Sequence, residues 1–208
     1  MGRPTSSDFD CLITPGGEPT KGEKVENYAN RLVAEILLQT PIRTMAPSYA
    51  MERGKSLEPE ARDAYCFITG KTLSYGGFIT DDLKRYGCSP DALIVGENAG
   101  IEIKCPLSEE KHMGYLFDNE RLLKEHAPQV QGQIFVAGFD YVDMISYFPG
   151  LPRVIVRADP VAKIQASLET ALTGIRENMN EKIEWLIEQG HMDVTMPKSI
   201  PREVALHG

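Results

Sequence analysis

The stretch GCSPDALIVGENAGIEIKCP, residues 87–106, decides the reading of this chain. Pro90 and Asp91 open an apolar run at 92–95, and a second run at 100–104 sets Glu102 and Lys104 among Ile101, Ile103 and Cys105. Between them lie the turn formers GENAG. Short aliphatic runs bounded by Gly, Asn, Asp and Pro read as strands, here two strands joined as a hairpin. Residues two apart on a strand point to one face, so Glu102 and Lys104 project together. Asp91, at the start of the partner strand, meets them there.

Two carboxylates and a lysine at a sheet edge form a specific chemical kit. Hard oxygen ligands hold Mg²⁺ while it keeps some of its waters, which leaves positions for phosphate oxygens. Such an ion lowers the pKa of a bound water and neutralises charge on a phosphoryl transition state, and a nearby lysine can orient or deprotonate the water. The reaction implied is phosphodiester hydrolysis. A bare ExK tripeptide usually marks solvated strand residues; the Pro-Asp pair at hairpin distance and the flanking isoleucines set this one apart.

Outward from the hairpin, the opening residues through ITPGGEPTKGEK (13–24) are rich in Gly, Pro, Ser and Thr and read as loop. Val25, Tyr28, Leu32, Val33, Ile36 and Leu37 recur at helical spacing and predict a helix ending before Pro41. A second helix is expected from 48 to 69, kinked at Pro59 and stopped by Gly70. Residues 73–79 read as a further strand. A polar stretch at 108–125 precedes a helix whose first turn holds Pro128 and whose end lies near Gly138. On that helix His126, Gln129 and Gln133 share a polar face able to bond a nucleophilic water or a phosphate, while Val130, Ile134 and Ala137 take the apolar one. Residues 142–147 and 154–156 predict two more strands. The last helix, through Ile164, Leu168, Leu172, Ile175, Met179, Ile183 and Leu186, steps by three or four, and the tail after Gly190 has no periodicity.

The expected fold is therefore α/β (α+β), a central mixed sheet flanked by helices in a single domain, 1–208, with a core over about 23–190. The 208 residues are 42% hydrophobic and 25% charged, which suits one such domain. Thirty acidic against 22 basic residues give a net charge of −8, which excludes a uniformly basic nucleic-acid coat but not a local basic groove. No apolar run reaches the roughly 18 residues of a membrane span and no secretory h-region opens the chain, so a cytosolic protein without membrane contact is expected. Cys11, Cys66, Cys88 and Cys105 lack the spacing of a zinc site or a disulfide framework and read as ordinary reduced thiols.

Pro-Asp followed by ExK is the signature of the PD-(D/E)XK nucleases, with their restriction-endonuclease-like core. SPDALI, IEIKCP and then QVQGQ resemble the YqaJ-like, lambda-exonuclease-type phage recombinase branch, as do PTSS (4–7), MERGKSLEPEA (51–61) and ISYFPG (145–150). The resemblance implies that Asp91, Glu102 and the carbonyl of Ile103 hold Mg²⁺, with Mn²⁺ able to substitute. Lys104 activates the water, and Glu58 and Gln129 position waters or phosphate. It implies a 5′-to-3′ exonuclease on linear duplex DNA, releasing mononucleotides and leaving a 3′ overhang for a single-strand-annealing recombinase. A ring-shaped homotrimer in a phage or prophage setting in the bacterial cytosol also follows from it.

DNA contacts are expected from Met51 as an apolar wedge, from Arg3, Thr5 and Ser7 near the N-terminus, and from Arg53, Lys55, Ser89, His112 and Gln131 around the motifs. The family's arginine after the TxS segment, which anchors a 5′ phosphate, is here matched by Asp8, so only a weak preference for phosphorylated ends is expected. Arg3, the hydroxyls of 5–7, or Lys21 or Lys24 would substitute. An N-terminal helix common in relatives is expected to be short or missing. The rival readings are an endonuclease of the same superfamily, an iron–sulfur nuclease, disfavoured because no cysteine follows Cys105, and an inert DNA-binding module, disfavoured by the intact motif.

Overall fold

The hairpin read from 92–104 lies at the centre of the sheet in the computed structural model, which describes residues 1–42 and 48–193. The strands are β1 (Leu73–Ser74), β2 (Ile79–Thr80), β3 (Gly87–Cys88), β4 (Ala92–Ile94), β5 (Ala99–Lys104), β6 (Tyr141–Ser146) and β7 (Val154–Ala158). Five of them form a mixed sheet in the order β1-β4-β5-β6-β7. β4 and β5 are antiparallel, with Ala92 opposite Ile101 and Leu93 opposite Gly100. β5 and β6 are parallel, with Glu102 beside Met144 and Ile101 beside Asp143. A parallel pair needs a long crossover, and helices α3 (Glu109–Phe117), α4 (Asn119–Glu125) and α5 (Ala127–Ala137) supply it.

Because neighbours across a sheet share a face, the register sorts the two sides. Met144, Val142, Val130 and Ile134 form one buried cluster under α5. Ile101, Ile103 and Ile145 pack on the other side against Ala61 and Tyr65 of α2 (Tyr49–Thr69). A third cluster joins α1 (Glu23–Leu38) to α6 (Ala162–Glu188), through Tyr28, Leu32 and Ile36 against Leu168, Leu172, Ile175 and Met179. α2 starts at Ser48, whose Oγ accepts the Met51 N–H at 3.3 Å, and stops at Gly70, which takes the left-handed φ of 69° that glycine tolerates. The helix runs through Pro59 without ending there.

Three expectations are corrected. The opening segment is not simply loop. Ser6–Cys11 form a 3-10 helix, and Phe9, Leu12 and Ile13 are wholly buried in the α1–α6 cluster. Apolar residues three or four apart in a Gly- and Pro-rich stretch were too few to show a period. Residues 73–79 are two strands, not one: the Gly76-Gly77 break sends β1 to β4 and β2 to β3 in a separate two-stranded sheet. The polar stretch 108–125 is α3, capped by Ser108 Oγ accepting the Lys111 N–H, and α4, both held by a narrow buried side of His112, Tyr115 and Leu122. β3, two residues long, is too short to carry any pattern. The expected irregular tail lies largely at 194–208, outside the described residues, as does His207.

Candidate active site

β5 runs on to Lys104 past the start of β4 at Ala92, and the site is built on that overhang. The Asp91 N–H bonds the Ile101 carbonyl at 3.0 Å, the last rung of the hairpin ladder. One step further, the Ile103 N–H donates to Asp91 Oδ2 at 2.6 Å, so the aspartate side chain replaces the missing strand. In a strand the N–H and C=O of one residue face the same edge, so the Ile103 carbonyl points to the Asp91 side as well. Burial, then the neighbouring Glu102 charge, pushes the Asp91 carboxyl up to about 7 against the help of the Ile103 N–H.

Glu102 is 3% exposed and its charge is met by three donors. Lys104 Nζ and Gln129 Nε2 both donate to Oε1 at 2.7 Å, and Gln133 Nε2 donates to Oε2 at 2.5 Å. Lys104 Nζ also donates to Gln129 Oε1 at 2.8 Å, closing a three-membered ring of side chains. The shared face of Glu102 and Lys104 and the polar face of α5 are thus one surface, joined because α5 covers that side of the sheet. His126, at the α4–α5 junction, lies beside this ring; burial, then the Lys104 and Lys111 charges, lowers its pKa to about 4 and keeps the imidazole neutral near pH 7.

Glu58, on α2, is ion-paired with Arg62 at 3.0 Å and raises the Asp91 pKa, which places it near the aspartate without a direct bond between them. Met51, in the first turn of the same helix, is 62% exposed, so it is no core residue. Arg53 donates to the Pro106 carbonyl at 2.8 Å and lies over the Phe148 ring, while Lys55 and Ser89 are exposed. The N-terminal group is drawn to the site from elsewhere in the chain. The Gly87 N–H bonds the Pro4 carbonyl at 2.9 Å and Thr5 bridges to Gly87, two residues before Ser89, while Thr5 Oγ1 and Ser7 Oγ lie 3.2 Å apart. Arg3, Thr5, Asp8 and Arg31 line a cavity of about 270 Å³ there.

Two expected DNA contacts are contradicted. His112 is wholly buried, with Nδ1 bonded to Ser146 Oγ at 2.8 Å and Nε2 to the Pro152 carbonyl at 2.9 Å, so it ties α3 to β6 and the turn after it. Gln131, 4% exposed, faces away from the site; its amide bonds the Asp159 carbonyl and the Val161 N–H and clamps the start of α6. Sequence polarity gives no sign of whether a partner is water or protein. Arg31 was missed for the converse reason. It sits in the middle of α1, where only the fold reveals its 3.0 Å ion pair with Asp8.

Among the described residues no group of three or more His, Cys, Asp or Glu side chains could hold a metal ion by itself. The oxygens available are the Asp91 and Glu102 carboxylates and the Ile103 carbonyl. That small, hard donor set fits an ion that keeps several waters, and does not fit zinc or a soft metal.

No curated protein matches the chain. Among solved structures it is similar to an alkaline exonuclease from Laribacter hongkongensis, at 27% identity, TM-score 0.78, over 91% of this chain and 94% of that one. The structure of that exonuclease in complex with dAMP matches over the same shares, at 27% identity and TM-score 0.77. A phage-related exonuclease from Haemophilus somnus 129PT shares the fold, with TM-score 0.70 at 11% identity over 88% of this chain and 96% of that one. The mixed sheet with helices on both faces is thus a nuclease fold. Residues 1–140 match the YqaJ-like viral recombinase domain, and with the Pro-Asp turn, the ExK strand and α5 arranged around one sheet edge, the chain belongs to that family.

Proposed function

We propose that the protein is a metal-dependent exodeoxyribonuclease that hydrolyses phosphodiesters at the ends of linear duplex DNA. The observation that carries the reading is the convergence of Asp91, Glu102, Lys104 and Gln129 on the edge where β4 begins. Asp91, Glu102 and the Ile103 carbonyl would hold Mg²⁺, or Mn²⁺ in its place. The ion, when bound, supplies Lewis-acid stabilisation of the charge that develops on the phosphoryl oxygens. Lys104 holds a proton at Nζ next to Glu102 and Gln129, where it can orient the attacking water. Gln129, bonded to both charged partners, fixes their spacing. Water adds to phosphorus as the bond to the leaving oxygen breaks, so each turnover frees one mononucleotide. The presence of dAMP in a similar exonuclease supports that product.

Direction and partners belong to the same reading. Attack from the 5′ end leaves a 3′ overhang for a single-strand-annealing recombinase, and a ring of three copies would keep the enzyme on its DNA; the setting is a phage or prophage protein in the bacterial cytosol. No helix of the described residues is long and apolar enough to cross a membrane. Arg31 pairs with the Asp8 carboxylate at 3.0 Å, which weakens the repulsion expected of Asp8 toward a 5′ phosphate. Arg31, stacked on Tyr28 and beside Thr5, is the cation we assign to phosphate capture in that corner.

Linear duplex labelled at either end, and a closed circle, incubated with Mg²⁺ or EDTA test the reading. Mg²⁺-dependent loss of the 5′ label, with the circle intact, is expected. Cutting of the circle indicates an endonuclease, and binding without cutting an inert module; either result rejects the exonuclease.

A further inference from the structure

We propose that Gln133 is a positioning residue that holds Glu102 to ligation through one oxygen and thereby favours a small octahedral cation, Mg²⁺ or Mn²⁺, over Ca²⁺. The proposal rests on the reading of Asp91 and Glu102 as metal ligands. Gln133 lies one helical turn beyond Gln129 on α5, is wholly buried, and donates from Nε2 to Glu102 Oε2 at 2.5 Å. A carboxylate oxygen only accepts, so the amide must present its nitrogen to Glu102; the flipped amide would set two acceptors against each other. The other end of the side chain bears the consequence. Gln133 Oε1 is buried and accepts from no protein group, although buried polar atoms are nearly always paired. Val130 and Ile134, close to Gln133 along α5, belong with Met144 to a buried apolar cluster, so the helix is rooted in the core there.

The two oxygens of Glu102 are therefore unequal. Oε1 is held by the Lys104 ammonium and the Gln129 amide, both partly exposed, and an ammonium on a flexible stem can yield its place to a divalent ion. Oε2 is held by a neutral amide rooted in the core, which has no other acceptor to turn to. Exchange of one cation for another can proceed at Oε1 while Oε2 stays bonded to Gln133. Ca²⁺ takes six to eight oxygens and often grips a carboxylate by both, whereas Mg²⁺ keeps six ligands at short range with waters among them. A carboxylate with one oxygen already occupied suits the smaller ion. Hydrogen bonds that hold a ligand in this way typically change metal affinity about 10- to 100-fold.

The test is calorimetric titration of the metal-free full chain with MnCl₂ and with CaCl₂, for the parent and for Gln133→Met, which keeps the length and removes the donor. Thermal melting in EDTA is recorded alongside. The proposal predicts a Mn²⁺-to-Ca²⁺ affinity ratio that falls about tenfold or more in Gln133→Met, with a melting temperature in EDTA equal to or above the parent's. Gln133→Leu should act alike. An unchanged ratio in a folded variant overturns the proposal, and so does failure of both variants to fold, which would make Gln133 a packing group. A parent that binds neither cation overturns the ligand reading beneath it, a result distinct from an unchanged ratio.

Discussion

Asp91 is the residue on which burial and charge act most strongly in the site, and its pH response has a definite sign. Its folded pKa of about 7 stands above the ordinary aspartate value of about 3.9. The folded protein thus binds this proton more tightly than the unfolded chain does. The associated stability is present in full below about pH 4 and is lost as pH rises to about 7. In EDTA, the melting temperature of the parent should fall across that window relative to Asp91→Asn, which keeps the Ile103 hydrogen bond without titrating. A pH-independent difference between the two would remove Asp91 from its buried setting. Around it, Glu102→Ala and Lys104→Ala should abolish hydrolysis while leaving the fold intact. Gln129→Ala should lower the rate about 10- to 100-fold with DNA binding near normal, as for groups that orient the reacting ones. An unfolded Gln129→Ala protein would instead make that glutamine structural. Asp91, Glu102 and Lys104 were legible from the Pro-Asp pair at hairpin distance and the strand period, and Gln129 from the family resemblance with helical spacing in support. His112 and Gln131 were misread, since a buried polar residue and an exposed one look the same in sequence until the partners Ser146 and Asp159 are known.

At the scale of elements, α5 couples the site to the N-terminal segment. Its outer face carries Gly132, where a Cβ would collide with the Phe9 ring and lie 3.1 Å from Ser6 Cβ. Glycine at this point lets the 3-10 helix seat against α5, next to Gln131 and three residues from Gln129. Gly132→Ala should destabilise the protein by about 1–3 kcal/mol, the cost of overpacking, and Phe9→Ala by about 3–5 kcal/mol. Urea unfolding measures both. If Phe9→Ala costs less than about 1 kcal/mol, the opening segment is not part of the core. The long elements, α1, α2, α5, α6 and the β4–β5 hairpin, could be read in advance because each shows several turns or a full alternation. β1, β2 and β3 are two residues each, below any period, and are fixed by glycine breaks and by packing of distant segments. α3 and α4 hide because their buried side is one residue wide per turn.

For the whole molecule, the charge of −8 confines DNA binding to a local surface, and the same surface must hold the metal, the water and the strand end. Met51, exposed at the start of α2 and two helical turns before Glu58, is placed to meet a terminal base pair. Met51→Ala should slow the cutting of blunt ends more than of frayed ends. Equal slowing on both would make the side chain irrelevant to strand separation. The central claim, that one metal-dependent site on the β4–β5 edge removes nucleotides from duplex ends, is tested most directly by mononucleotide release. Uniformly labelled linear duplex is incubated with the parent or Glu102→Ala, in Mg²⁺ or in EDTA, and the acid-soluble products are resolved by size. The account predicts mononucleotides from the parent in Mg²⁺ alone and none from Glu102→Ala in either condition. Release by Glu102→Ala at a rate near the parent's, or by the parent in EDTA, would contradict it.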